Sequence, residues 1–172
     1  MPRAQIDLVT RIIGGISVVF GALALALACV GVGTPNWYVG YSIDYSNGNW
    51  YQSSSANFFY SCDYLVGGVA NKCVGREGGV HFYPTFSGVS WYYEYSNRVR
   101  DAGALCIVGI AFLAIGTVLT LVIILVFVPI WLYFAPPVAL FLACLFMIAG
   151  MAEGARFMIY NGYSVIIFET AL

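Results

Sequence analysis

Two cysteines carry the most specific chemical signal in the sequence. Cys62 and Cys73 are separated by ten residues and lie in the one long stretch that a lipid bilayer could not hold. The other three cysteines, Cys29, Cys106 and Cys144, fall within apolar stretches, where a thiol usually serves as a small packing group. A bridge between Cys62 and Cys73 would contribute about 3 kcal/mol by restricting the unfolded chain. Because the pair lacks the Cys-x-x-Cys spacing of redox centres, we predict a structural disulfide.

Little else in the sequence is suited to catalysis or metal binding. The only histidine is His81, and no second histidine or closely spaced cysteine pair could complete a metal site. No Gly-x-Ser-x-Gly nucleophile motif occurs, and the net charge of −1 gives no electrostatic basis for binding nucleic acid. We therefore expect no cofactor, no metal ion and no enzymatic activity.

The distribution of charge predicts that the chain lies in a membrane. Hydrophobic residues make up 61% of the sequence and charged residues only 9%, too few to cover the surface of a soluble domain. No charged residue occurs in the 51 residues from Ala102 to Ala152. A single helix of that length would be roughly 75 Å long, more than twice the hydrocarbon thickness. We predict two spans over residues 98–127 and 132–154, with a tight apolar turn at three prolines that disfavour a continuous helix: Pro129, Pro136 and Pro137.

A further span is predicted over residues 8–33. Arg3 and Arg11 precede a 21-residue uncharged stretch, which is longer than the apolar region of a typical signal peptide. Small residues spaced three or four apart form one stripe along this helix, where the backbone of a neighbouring helix could approach closely. The stripe consists of Gly14, Ser17, Gly21, Ala24 and Ala28. Gly109, Gly116 and Ala143 could act similarly on the other two helices. No span contains an internal acid, base or histidine, which argues against a transporter or pump.

The orientation of the spans follows from the cysteines and not from charge. Arg3 and Arg11 lie on one side of the membrane and Arg98 and Arg100 on the other, so the positive charges are nearly balanced. A disulfide requires an oxidising compartment. We therefore place the N-terminus in the cytoplasm and residues 34–97 outside, in a protein of the plasma membrane.

The C-terminal segment, residues 155–172, leaves the number of spans open. It offers about ten apolar residues, interrupted by Glu169, which are too few to cross a bilayer as a helix. Either it is an external segment with an interfacial tail, or it holds part of a fourth helix. The last four residues, 169–172, resemble a peptide that adds a strand to a PDZ domain. A PDZ partner would need this end in the cytoplasm, where three spans do not place it.

The external segment, residues 34–97, is predicted to form a small antiparallel sheet. Residues 37–46 alternate between apolar and polar types, the pattern of a half-buried strand. Asn47-Gly48 is the strongest short hairpin signal, because both central residues of a type I′ turn need positive φ. A return strand over residues 49–53 would place Trp50 opposite Tyr45. Further strands are predicted over residues 58–64 and 80–83, with turns at residues 67–68 and 78–79.

Aromatic residues are unusually abundant in this segment, with 17 in 64 residues. A small sheet cannot bury that many rings in its own core. Some should lie at the headgroup level of the bilayer, and others should form a surface for a partner, because Tyr and Trp dominate interface hot spots. The candidate residues for this surface are Tyr38, Tyr41, Phe58, Phe59, Trp91, Tyr92 and Tyr93.

The order of these features resembles the claudin and peripheral myelin protein superfamily. The matching residues are Trp37 after the first helix, the Gly48-Asn49-Trp50 motif, the Cys62 and Cys73 pair, and Arg98 at the second helix. In two respects the sequence departs from the family pattern: the motif reads Gly-Asn-Trp where the family has Gly-Leu-Trp, and eleven residues separate Trp50 from Cys62. The resemblance implies a helical bundle with an external, disulfide-linked sheet. It also implies a role in cell contact, in a barrier, or as a partner of channels and receptors.

Taken together, the residues and the resemblance favour a structural protein. We expect a claudin-like membrane protein that acts by lateral or trans self-association through residues 34–97, with lipid and other copies of the chain as its partners. The alternative is an accessory subunit of a larger membrane complex, such as an ion channel or an energy-transducing assembly.

Overall fold

The computed structural model describes residues 8–66, 70–75, 89–126, 129–156 and 158–172, and the side chains of residues 91–97 are not among the described features. The four α-helices are α1 (Leu8–Gly33), α2 (Val89–Leu125), α3 (Ala135–Ala155) and α4 (Tyr163–Glu169), and a 3-10 helix (Ile130–Phe134) precedes α3. The four strands are β1 (Tyr38–Ile43), β2 (Trp50–Ala56), β3 (Tyr60–Tyr64) and β4 (Ala70–Gly75).

Three helical stretches in the described part of the chain are long and apolar enough to cross a membrane, namely Arg11–Gly33, Arg98–Leu125 and Ile130–Ala155. The three predicted apolar helices are therefore confirmed, which is consistent with an integral membrane protein. The second helix differs from the prediction at its start. α2 begins at Val89, so nine residues that were assigned to the external sheet extend the helix by about 14 Å.

Small residues bring the long helices together. A Cβ atom built at Gly14 would lie 2.7 Å from Cδ1 of Ile124, and one at Gly21 would lie 2.6 Å from Oγ1 of Thr117. α1 and α2 are therefore antiparallel and in close backbone contact along this stripe, which is how helices associate in lipid. Ala28 is fully buried and Ala24 packs against the core. Ser17 is the exception: it is exposed, and its hydroxyl donates to the carbonyl of Ile13.

α2 and α3 are packed in the same way. A Cβ atom at Gly109 would lie 2.5 Å from the Met147 side chain, and one at Gly116 would lie 2.8 Å from the Leu140 side chain. Ala143 is almost fully buried. Since these contacts leave no room for larger side chains, glycine at these positions sets the distance between the helices.

The sheet is antiparallel, with the strand order β1-β2-β3-β4. The predicted Cys62–Cys73 disulfide is confirmed, and the two residues lie directly opposite each other on β3 and β4, with their Cα atoms 4.1 Å apart. β4 was not predicted. The strand predicted over residues 80–83 and the two glycine turns lie outside the described residues.

The first hairpin is present, but its predicted register is wrong by two residues. Trp50 pairs with Ile43 and not with Tyr45. The Asp44 carbonyl accepts from the amide of Gly48 at 2.7 Å, and the Asp44 amide donates to the carbonyl of Asn49 at 2.8 Å. The loop is therefore four residues long, and Gly48, with φ of +73°, takes its left-handed position. A shift of two residues keeps each side chain on its predicted face.

Candidate interaction surface

The sheet is joined to the helices by an aromatic cluster around Trp37. This side chain is 0% exposed, and its ring centre lies 4.5 Å from that of Phe58, 5.2 Å from Tyr160 and 5.4 Å from Phe168. The indole N–H donates to the carbonyl of Gly31 at 2.7 Å, which satisfies one of the carbonyls that the end of α1 leaves without a helical partner. Trp37 therefore fixes the sheet to the end of the first span.

Phe58 extends the cluster to the other two long helices. A Cβ atom at Gly103 of α2 would lie 2.7 Å from Cβ of Phe58, and one at Gly154 of α3 would lie 2.7 Å from Cε1 of the same ring. Phe58 is fully buried. Its predicted place on an interaction surface is therefore corrected: the ring fills the space between the sheet and two helix backbones.

Residues after α3 cover the outer edge of β1. The Asn161 side chain accepts from the amide of Val39 at 2.7 Å and donates to the carbonyl of the same residue at 2.8 Å, as a neighbouring strand would. The backbone amides of Asn161 and Gly162 both donate to the carbonyl of Trp37, and that of Ser164 donates to the carbonyl of Asn36. These bonds protect the edge strand from pairing with another chain.

Polar side chains complete the junction between sheet and helices. The hydroxyls of Thr34 and Ser164 are 2.6 Å apart, and the Tyr60 hydroxyl donates to the carbonyl of Gly33 at 3.0 Å. The Tyr160 hydroxyl donates to the carbonyl of Met151 at 2.9 Å, and burial raises the pKa of Tyr160 above its usual range. The junction is thus held by hydrogen bonds as well as by packed rings.

The position of this junction defines which end of the sheet points away from the helices. β1 leaves the end of α1 at Tyr38 and reaches the hairpin loop after Ile43, and β2 returns to the buried Phe58. Six residues of extended strand span about 20 Å. The hairpin loop and the end of β3 therefore lie at the distal end of the sheet.

Large apolar side chains are exposed at this distal end. Tyr41 and Ile43 share one face of β1 with Trp50, which is opposite Ile43 and 68% exposed, and Tyr45 in the loop is 98% exposed. Leu65 and Val66, which follow β3, are also exposed at this end. We call these residues the distal patch: Tyr41, Ile43, Tyr45, Trp50, Leu65 and Val66.

One charge lies beside the patch. Asp44 accepts hydrogen bonds from the hydroxyl of Ser46 at 2.7 Å and from its amide at 2.9 Å. These bonds, the hydroxyl first, lower the pKa of Asp44 below its usual range. The loop is therefore held in one shape by a carboxylate that stays ionised at neutral pH.

The residues predicted as an interaction surface have different locations in the structure. Tyr41 is exposed on the distal patch, whereas Tyr38 and Phe59 are partly buried against the core. The three aromatics from Trp91 to Tyr93 lie in the first turns of α2, and their side chains are outside the described features. Sequence reasoning did not assign the other five residues of the distal patch to this surface, namely Ile43, Tyr45, Trp50, Leu65 and Val66. The position of Tyr45 beside Asn47-Gly48 could have indicated an exposed loop.

A small ion cluster joins the ends of α2 and α3 that lie on the side of the sheet. Glu153 accepts from Arg98 at 3.5 Å and from Arg156 at 3.1 Å. Arg98, which the family resemblance identified as the basic residue at the second helix, therefore pairs with α3. Such exposed pairs contribute little stability.

The described residues contain no group of three His, Cys, Asp or Glu side chains that could hold a metal ion, and His81 lies outside them. What the arrangement offers is a disulfide-linked sheet that presents exposed apolar side chains at the end away from the helices. A scan against protein-family models matched none of them, and a search of curated proteins found no match.

Proposed function

We propose that this chain is a claudin-like structural membrane protein whose external sheet associates with further copies of the chain, beside it in the same membrane or on a facing membrane. The observation that carries the proposal is the distal patch. Exposed Trp and Tyr side chains that cluster on an otherwise small domain are typical of protein interfaces.

Lipid does not account for these side chains. Aromatic residues at helix ends lie at the headgroup level, but the far end of the distal patch, at Ile43 and Trp50, lies about 20 Å along β1 from the junction with the helices. The rings nearest the membrane, including Trp37 and Phe58, are already buried in the core. A protein partner is therefore the remaining apolar environment for Tyr45 and Trp50.

The sheet is built as a rigid support for such a contact. The Cys62–Cys73 disulfide joins β3 to β4, and Asn161 holds the opposite edge of the sheet through Val39. A surface that is ordered before binding loses less conformational entropy when the partner arrives. This rigidity supports an interface on the sheet in preference to one on a mobile loop.

The experiment compares Trp50→Ser and Tyr41→Ser with a control, Tyr163→Ser. Tyr163 is exposed to a similar degree as Tyr41 but lies at the start of α4, away from the distal patch. Loss of one interfacial Trp should weaken association roughly 30-fold, equivalent to about 2 kcal/mol. Chemical crosslinking in lipid vesicles, over a range of protein-to-lipid ratios, measures this change.

Vesicle clustering separates association in one membrane from association across two. A wild-type chain that is monomeric in lipid, or a Trp50→Ser variant that associates as strongly as the control, would contradict self-association. Stoichiometric recovery of a larger unrelated membrane protein from native membranes, lost in Trp50→Ser, would instead favour an accessory subunit.

A further inference from the structure

The connection between α2 and α3 presents large apolar side chains at the end of the helices opposite the sheet. The 3-10 helix Ile130–Phe134 is described throughout, and none of its residues is buried. Ile130, Trp131 and Phe134 are each about two-thirds exposed, with Trp131 at 67%. Because the sequence from Ala102 to Ala152 has no charged residue, the connection itself contributes no ionic group. We call residues 129–134 the inner turn.

The lengths of the two helices give the depth of the inner turn in the membrane. About 20 helical residues cross the hydrocarbon layer. Counted from Ala102, just inside the charged residues of α2, that distance ends near Val122. Counted backwards from Ala152, it ends near Leu132. A tilt of about 20° shortens the projection of each helix on the membrane normal by roughly 6%. This moves the residue at which the helix leaves the hydrocarbon layer by about one position.

Arg11 gives an independent mark of the same depth. Gly14 of α1 contacts Ile124 of α2, and the two helices are antiparallel. Arg11 lies three residues before Gly14 and is therefore level with the start of the inner turn. A guanidinium group is costly in the hydrocarbon layer and settles at the headgroups. Both measures place the inner turn at the boundary between acyl chains and headgroups.

We propose that the inner turn is embedded in the lipid of its own membrane, on the face opposite the sheet. Trp131 lies among the headgroups, where its ring is most stable, while Ile130 and Phe134 contact the upper acyl chains as the apolar face of an interfacial helix does. The lipid-facing surfaces of α2 and α3 continue into the turn without a charged residue. The occupant of this surface is therefore phospholipid.

Tryptophan fluorescence in vesicles that contain only this protein and phospholipid tests the proposal. The emission of Trp131 is the difference between the wild type and Trp131→Phe, and Trp131→Tyr repeats the measurement with a second variant. Lipids brominated on the upper part of their acyl chains and iodide loaded on both sides of the vesicle serve as quenchers. The emission of Trp50, obtained in the same way from Trp50→Phe, is the matched control. Trp131 and Trp50 are almost equally exposed in the chain, at 67% and 68%.

We expect brominated lipid to reduce the Trp131 emission by roughly half and the Trp50 emission by less than about a tenth, because only a ring at the bilayer interface contacts the acyl chains. Iodide should quench Trp131 at least about threefold less than it quenches free N-acetyltryptophanamide. Quenching of Trp131 by iodide as strong as that of the free compound would refute the proposal. Protection from both quenchers would also refute it, since protein would then cover the turn. The result for Trp50 with brominated lipid does not depend on self-association of the sheet.

Discussion

Replacing Trp37 should separate the contribution of its hydrogen bond from that of its packing. Trp37→Phe keeps most of the apolar contact with Phe58 but removes the bond to the carbonyl of Gly31. We expect a loss of about 2 kcal/mol in the free energy of unfolding, because the buried carbonyl keeps only a long bond from Thr34, at 3.3 Å. Trp37→Ala also removes the ring and should cost about 4 kcal/mol.

The chain contains its own reporter for the measurement. Cys106 is a free, fully buried cysteine in the core cluster, whereas the free cysteines Cys29 and Cys144 are exposed. In a background with Cys29→Ser and Cys144→Ser, a thiol-reactive dye therefore labels Cys106 only when the helices separate. For a chain of this size, 1 kcal/mol corresponds to about 2–4 °C in the unfolding midpoint. In mild detergent, the midpoint should fall by about 4–8 °C for Trp37→Phe and about 8–16 °C for Trp37→Ala. Trp50 is exposed and provides the control, since Trp50→Phe should shift the unfolding midpoint by less than about 2 °C.

Two results would refute this reasoning. If Trp37→Phe and Trp37→Ala lowered the midpoint equally, the ring would contribute no packing energy beyond the hydrogen bond. If Trp50→Phe lowered it as much as Trp37→Phe, the junction would not be a distinct stabilising site. Either outcome would remove the basis for describing Trp37 as the anchor of the sheet.

Three further predictions concern other contacts. Cys62→Ser together with Cys73→Ser should cost about 3 kcal/mol, seen as a lower unfolding midpoint by intrinsic fluorescence that matches the wild type in reductant; an unchanged midpoint would contradict it. Asn161→Ala should cost about 2 kcal/mol, because two groups on the edge of β1 lose their partner; amide exchange on β1 should accelerate, and equal protection would exclude this role. Gly21→Leu should separate α1 from α2 and cost about 1–3 kcal/mol, whereas Gly15→Leu, with no atom within 4 Å of its Cβ position, should leave the dye midpoint nearly unchanged.

The sequence contains enough local information to predict the spans and the first hairpin. Long uncharged stretches have few alternatives to membrane helices, and Asn47-Gly48 strongly favours a turn. The register was wrong because Asp44, and not Ser46, closes the loop. That choice depends on hydrogen bonds from Ser46 to the Asp44 carboxylate, which a turn propensity does not include.

The parts that could not be predicted depend on contacts between distant residues. β4 contains Asn71, Lys72 and Gly75, which are poor strand formers, and pairing with β3 through the disulfide determines its structure. Phe58 is an aromatic residue in an external segment, and only the nearby glycines of α2 and α3 make room to bury it. The surplus of aromatic residues indicated that an apolar surface should exist. It did not indicate which residues form the distal patch.

The hydrogen bonds between Asn161 and Val39 join residues 122 positions apart in the chain. At a synthesis rate of about 5–20 residues per second, roughly 6–24 seconds pass between the synthesis of β1 and that of Asn161. Throughout that interval the strand is open to pairing with a neighbouring nascent chain. We therefore expect folding factors of the cell to act on this protein between the synthesis of β1 and that of Asn161, and to dissociate from it once the sheet is complete.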